Sequence, residues 1–385
     1  MTNRTTVVIG GGVVGASIAW NLRNTSAPGH DVQLLDTHLP LLGATAYSAG
    51  ILRRHHTLAE DIALAGESIG FYRRFADHVG GSSGYTRQQF LLLLKAESAA
   101  DASVHRGYID RFEPASRWLT SAELAGRYPY MTIGADEFGV LETDGGYGDA
   151  TATALSYRSA FVGAGGDLRC GVCVEGIERA NGRWRLRTNV DDLAADDLVI
   201  AAGWQSAELL AKLDIELPVV ARRIGLAVIH GDPAPSSGPV VIDDVTGAYF
   251  VPRPNGSVAL GVRARPRWDQ PLPAQPLSRA EVTEAVRRSS ARVSSFAQAR
   301  VVGSQAACDG YTPDNRPVLG PVPECDGLHL ACGFSGGGFK IAPAVGRHVA
   351  DGVVTGRTPD AIAAYDLRRF ARGDQLVPER RYAHL

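Results

Sequence analysis

"VVIGGGVVGASIAWNL", Val7 to Leu22, sets four glycines inside an otherwise apolar run. Val7, Val8 and Ile9 read as a short buried strand, and small and apolar residues recur at helical spacing from Val14 to Leu22. Between them Gly10, Gly12 and Gly15 fall on the pattern G-x-G-x-x-G. Gly10 suits the tight turn after the strand. Gly12 lets a pyrophosphate approach the backbone, and Gly15 lets the helix pack close to the sheet with its N-terminus facing the anion. Such a run is weak evidence alone. It gains from the preceding strand, the following helix and an acid at the end of the next strand. That acid, Asp36 in "DVQLLD", lies 21 residues after Gly15, near the spacing of ~20 at which a carboxylate accepts a ribose hydroxyl. The competing reading is a structural turn with a surface aspartate. The pattern predicts a dinucleotide and leaves NAD and FAD both open.

The bulk composition sets the class. The 385 residues are 45% hydrophobic and 21% charged, with a formal net charge of −2. This length fits two or three domains or one large bilobal unit, with ample core. No long basic run points to nucleic acid. No uninterrupted apolar stretch of about 18 residues predicts a membrane span, and the polar start is unlike a signal core. Five cysteines make no disulfide framework and fit a reducing cytoplasm. "CGVC", Cys170 to Cys173, reads as part of a strand, where residues three apart face opposite sides, so a redox or metal pair is not expected. "DDLAADD", Asp191 to Asp197, reads as a solvated acidic edge.

Three further stretches bear on the ligand. "GATAYSAGILRRHH", Gly43 to His56, follows the second strand with small residues and then four basic or imidazole side chains. "DDLVIAAGWQS", Asp196 to Ser206, is a buried strand ending in Ala-Ala-Gly. "TPDNRPVLGPVPECDGLHLACGFSGGGFKIAPAVGRHVA", Thr312 to Ala350, carries TPD-x-x-P-x-x-G and then GFSGGGFK. In this order, from Thr6 to about Val354, the chain resembles the FAD-dependent amine and amino-acid oxidoreductases that include D-amino-acid oxidase, glycine oxidase and monomeric sarcosine oxidase.

The resemblance implies an α/β fold: a discontinuous, Rossmann-like FAD-binding domain (1–85, 145–215 and 300–385) and an antiparallel-sheet substrate domain (86–144 and 216–299). Alternating apolar and polar residues in "RRIGLAVIHG" and "PVVIDDVTGAYFVPRPNGSVALGVRAR" fit such a sheet. Asn181-Gly182 and Asn255-Gly256 read as hairpin turns, and "DPAPSSGP", Asp232 to Pro239, as a loop. The resemblance also assigns non-covalent FAD to Gly10, Gly12, Val13, Val14 and Gly15, with Asp36 and Thr37 after the second strand. Beyond these it assigns Ala44, Thr45, Ser48, Ala49 and Gly50, and then Val174 at the adenine. Ala202, Gly203 and Trp204 follow, and Gly336, Gly337, Gly338, Phe339 and Lys340 surround the flavin. The helix N-terminus after this glycine run would favour an anionic reduced ring.

For substrate, the resemblance implies a carboxylate held by Lys340 and an arginine after the second strand. Arg54 is the chosen match and Arg53 its close rival, although composition alone would make both a solvated pair. Tyr249 matches an active-site tyrosine and otherwise reads as a half-buried sheet residue. His55 and His56 adjoin the arginines and could touch substrate or flavin.

Three positions depart from the family pattern. Ala259 stands where sarcosine oxidase-like members carry an oxygen-activating lysine, with Arg263 or Arg265 as substitute cations. Ala307 stands where a covalent flavin cysteine would be, leaving neighbouring Cys308 a buried thiol. Asp309 stands where an arginine binds carboxylate in D-amino-acid and glycine oxidases, and there it would repel a carboxylate and attract a remote ammonium. The expected chemistry is oxidation of the C–N bond of a small amino acid or N-substituted glycine, with reoxidation by O2 or another acceptor. A 2-hydroxy-acid oxidase or dehydrogenase, and a non-catalytic electron-relay flavoprotein subunit, are the alternatives. No metal is expected.

Overall fold

The structure, a computed structural model, describes residues 4–38, 43–110, 116–231, 238–262 and 276–377. The opening strand, Thr5–Ile9, lies inside a six-stranded sheet between Asp197–Ile200 and Asp31–Asp36. Both neighbours run parallel to it. Asp167–Cys170 extends one side, while Leu328–Cys332 and the antiparallel edge strand Val318–Pro321 extend the other. Val7, Val8, Leu34 and Leu198 to Ile200 are wholly buried, the near-continuous apolar pattern of a sheet covered on both faces.

Helix Val13–Thr25 packs against the C-terminal helix Gly338–Thr355 and against Ala150–Gly163. The first contact is so close that a Cβ on Gly346 would meet Ser17 Oγ at 2.0 Å. The C-terminal helix contains Pro343, which cannot donate to the carbonyl of Phe339. The Tyr72 hydroxyl donates to that carbonyl at 2.6 Å instead, so the helix keeps its path and its start stays pinned to Ala59–Arg73.

The second sheet has eight strands, with Ser257–Val262, Ala248–Pro252, Val240–Asp243 and Phe90–Lys95 in its middle. Its outer strands are Arg300–Tyr311 and Val220–His230 at one side and Glu137–Glu142 and Arg117–Thr120 at the other. The expected boundary at residue 300 is corrected here. Arg300–Tyr311 is laddered to Val220–His230 along nearly its whole length, so the return to the nucleotide-binding half follows Tyr311. We propose the division otherwise as read from the sequence.

The Asn-Gly hairpins form as read. Asn181 and Gly182 both have positive φ between Val174–Ala180 and Arg183–Thr188, the two-residue turn that matches strand twist. Gly256 has φ +76° before Ser257–Val262. Two other readings are corrected. Cys170 ends a strand and Gly171 turns at φ +77°, so the CGVC stretch is a turn and not a strand, and both cysteines are free. The acidic stretch holds a strand, Asp192–Ala195, paired with Arg183–Thr188. Its Asp197 is buried and bonded by Arg4 at 2.6 and 2.9 Å. The Asp232 to Pro239 loop falls largely outside the described residues. No described helix is long and apolar enough to cross a membrane.

Candidate active site

A cavity of about 1400 Å³ runs from the glycine turn of the first sheet to the face of the second. Gly10 has φ +102°, and a Cβ there would meet Ala201 O at 2.4 Å. A Cβ on Gly15 would meet Gly10 O at 1.8 Å. Both glycines are required by the protein's own packing. Gly12 differs, because a Cβ there would meet only Thr45 Oγ1, at 3.0 Å. Gly12 is also the N-cap of the first helix and offers no side-chain acceptor, and no acid stands in the first turn. Thr45 Oγ1 accepts from Val13 N at 3.1 Å. The remaining donors of the helix end open toward the cavity, as a pyrophosphate requires.

The turn before the helix Gly338–Thr355 is built alike. Helix Gly338–Thr355 starts from Gly337 without a side-chain cap or a first-turn acid. Ser335 and Gly336 preceding it have φ of 52° and 85°. Asp309 ties this turn to the second sheet: one oxygen accepts from Gly310 N at 2.8 Å and the other from Gly336 N at 2.7 Å. All the residues assigned to FAD from the sequence line this one cavity, from Gly10 to Lys340. The volume exceeds the ~300–1,000 Å³ of an ordinary small-ligand pocket, and the two uncapped helix ends suit a dinucleotide.

Asp36 reaches the cavity but is not free. It pairs with Arg158, and its other oxygen accepts from His38 N at 3.1 Å. Arg158, wholly inside the fold, also donates from Nε to Gly11 O at 2.8 Å. The pair therefore fixes both the end of the second strand and the glycine turn.

Arg54 is corrected as the carboxylate-binding residue. Its side chain is buried against Asp144, with Nη2 2.9 Å from Oδ2, and it does not line the cavity. Arg53 does line it. Its Nη1 donates to His55 O, while its Nε is buried with no hydrogen-bond partner. Glu142 sets this register by accepting from Arg54 N at 2.8 Å and from His55 N at 2.6 Å. Burial pulls the Arg53 guanidinium down to about 10, so it stays charged at neutral pH.

Lys340 lies against the same cavity with Nζ 3.3 Å from Gly336 O. Burial and the neighbouring Arg53 lower it to about 7. His56 also lines the wall, its Nε2 buried and without a partner. Burial, then Arg53 and Lys340, hold it well below the usual imidazole range, so it is neutral. His55 is buried and does not line the cavity. Tyr249 lines it, and its ring occupies the space a Cβ on Gly261 would need. Burial raises its phenol to about 12.

The three departures resolve differently. Asp309 faces the cavity, and each of its oxygens accepts one backbone N–H, which gives it a structural role; its service to a remote ammonium stays a proposal. Ala259 is 2% exposed, packed in the sheet with Leu92 and Val251 and outside the cavity wall. Arg263 and Arg265 lie outside the described residues. Ala307 and Cys308 are both buried, and Cys308 touches the cavity, where burial raises its thiol.

Sequence reasoning missed Asp61, Arg158, Arg222 and Arg316. Arg316 Nε sits 2.5 Å from Asp61 Oδ2, and its Nη2 donates to Thr57 at 2.8 Å. Asp61 stands in the first turn of Ala59–Arg73, a common place for an acid, and Arg316 sits at an unspecified position of TPD-x-x-P. Neither carries a local sign of burial.

Residues 5–352 match the family described as FAD dependent oxidoreductase (DAO), and the chain belongs to that family. It is therefore an FAD-dependent oxidoreductase. It is 27% identical to glycine oxidase of Geobacillus kaustophilus over 381 residues, covering 96% of this chain and 98% of that protein. It is 23% identical to 4-methylaminobutanoate oxidase (formaldehyde-forming) of Paenarthrobacter nicotinovorans over 384 residues, 96% of this chain. The chain spans only 46% of that longer protein. Among solved structures, L-proline dehydrogenase of P. horikoshii superposes with a TM-score of 0.87 at 21% identity, covering 96% of this chain and 98% of that one. Likeness at that identity shows the fold alone.

Proposed function

We propose that this enzyme oxidises the C–N bond of a small amino acid or N-substituted glycine. The observation that carries this reading is the pair of cations on the cavity wall: Lys340, bonded at Gly336, and Arg53, with a buried Nε that lacks a partner. A carboxylate supplies the acceptor both need, and charge-assisted bonds are the strong ones in such a cavity. FAD held in this cavity would supply the two-electron acceptor for hydride from the carbon bearing the amine; the resulting imine would hydrolyse in water to a carbonyl and ammonia or an amine, and O2 or another acceptor would take the two electrons in turn.

The chain's own residues then bind and orient. Lys340 and Arg53 fix the carboxylate end, and Glu142 positions Arg53 through the backbone of its neighbours. The Tyr249 ring walls the sheet side. Neutral His56 adds no further positive charge, so the amine can lie near this wall in its unprotonated, hydride-donating form. The uncapped helix N-terminus at Gly337, on the cavity wall, would favour an anionic ring held against it. Glycine oxidase as a full-length relative supports an oxidase of a small amino acid.

The test is anaerobic addition of glycine, sarcosine, proline and larger amino acids to the purified flavoprotein, following loss of the oxidised-flavin band, and then admission of air. Bleaching by an amino acid and recovery on reoxidation support the reading. Bleaching by 2-hydroxy acids only, or by no small molecule, overturns it.

A further inference from the structure

Arg222 is a cation of this cavity that the carboxylate argument leaves unused. It stands on Val220–His230, directly opposite Asp309 in the ladder, and lines the cavity. Its guanidinium lies 4.8 Å over the Tyr311 ring centroid. Its Nε is buried with no hydrogen-bond partner, and among the described residues it has no ion pair. The facing acid makes no hydrogen bond or ion pair with it: among the described residues the partners of the Asp309 oxygens are Gly310 N and Gly336 N. The other acids on this side are engaged too: Glu281 with Arg223, and Glu284 with Arg287 and Arg288.

The position of Arg222 relative to Lys340 follows from Gly336. Lys340 Nζ is 3.3 Å from Gly336 O, and the Tyr311 hydroxyl is 3.5 Å from where a Gly336 Cβ would stand. One glycine thus separates Lys340 from the Tyr311–Arg222 stack. A guanidinium over an aromatic face has that face covered and still has a fork of N–H donors for a ligand, the donor set suited to a carboxylate.

We propose that Arg222 receives a second carboxylate, so that the substrate is a dicarboxylate: an acidic amino acid or an N-carboxyalkyl amino acid. This rests on the amino-acid reading above, with Lys340 and Arg53 holding the first carboxylate.

The test titrates oxidised holoenzyme with redox-inert acids, following the flavin absorbance shift. Propionate and butyrate form one series, and malonate, succinate and glutarate the other. The best dicarboxylate should bind at least about tenfold tighter than the best monocarboxylate, as one added charged hydrogen bond gives. Arg222→Met should bring that ratio near one, Arg222→Lys should keep part of it, and Lys340→Met should weaken both series while keeping a ratio above one. A wild-type ratio near one, or a ratio that survives Arg222→Met, overturns the proposal and leaves the amino-acid reading standing. If neither series shifts the flavin and no amino acid bleaches it, both fall together.

Discussion

Arg54 and Asp144 form a buried ion pair at 2.9 Å that takes Arg54 out of the cavity and leaves its neighbour Arg53 on the wall. The two arginines should therefore fail differently. Arg53→Met removes a cavity cation and should weaken carboxylate ligands by roughly ten- to a hundredfold, from about 1.5–3 kcal/mol per charged bond. Arg54→Met should act on stability instead, by about 1–3 kcal/mol. Asp144 would keep only Arg73 and Arg87, both far more exposed. Ligand titration and thermal melting of both variants separate the roles, and equal loss of affinity in the two would reject the assignment.

Carboxylate affinity should depend on pH through Lys340. Burial lowers its ammonium to about 7, so the charged form that attracts a carboxylate is present below pH 7 and is lost above it. Arg53, at about 10, stays charged over this range, and His56 stays neutral. The dissociation constant of a redox-inert carboxylate should rise as pH increases from 6 to 9, by up to tenfold per unit above the inflection. Lys340→Met should flatten the curve. A flat wild-type curve, or the same inflection in the variant, would refute the role.

The glycine turn allows fold and cofactor to be tested apart. Gly15→Ala puts a methyl 1.8 Å from Gly10 O, so the backbone must shift and soluble protein should fall sharply. Gly12→Ala meets only Thr45 Oγ1 at 3.0 Å. That variant should fold as apoprotein and lose FAD affinity, because its methyl points into the space where the pyrophosphate would come close. Circular dichroism with flavin fluorescence on denaturation reads the two effects. A Gly12→Ala protein with full FAD content would contradict the assignment.

The nucleotide half was legible because its signals are local. A strand, three glycines and a helix follow one another within twenty residues, and glycine's conformational freedom is a property of the residue itself. The substrate side was less so. Whether Arg53 or Arg54 faces the cavity is decided by Glu142 and Asp144, about ninety positions away. A one-residue change of register in a short extended segment reverses the two faces, and no local pattern fixes that register. The TPD motif shows the same limit. It marked the family, but its physical work is a turn closed by Thr312 Oγ1 on Arg316 O at 2.7 Å and anchored by Arg369 on Asp314 at 2.8 Å. Arg369 cannot be paired with Asp314 from spacing. Asp309 was half legible for a related reason, since its charge is visible in sequence and its backbone partners are not.

Those backbone partners give the last prediction. Asp309 joins the second sheet to the turn before helix Gly338–Thr355 through Gly310 N and Gly336 N. Burial raises its carboxyl above the usual range, while the two N–H bonds and Lys340 oppose the rise. Asp309→Ala should release Gly336 N and loosen the turn, lowering FAD retention and the melting temperature by several degrees. Asp309→Asn keeps an acceptor oxygen for only one of the two N–H groups and should fall between wild type and alanine. If the carboxylate served instead as a ligand for a remote ammonium, Asp309→Asn would leave flavin retention untouched and reduce turnover of diamino acids alone. FAD dissociation constants of the three proteins, measured by the return of free-flavin fluorescence on dilution, decide between these outcomes.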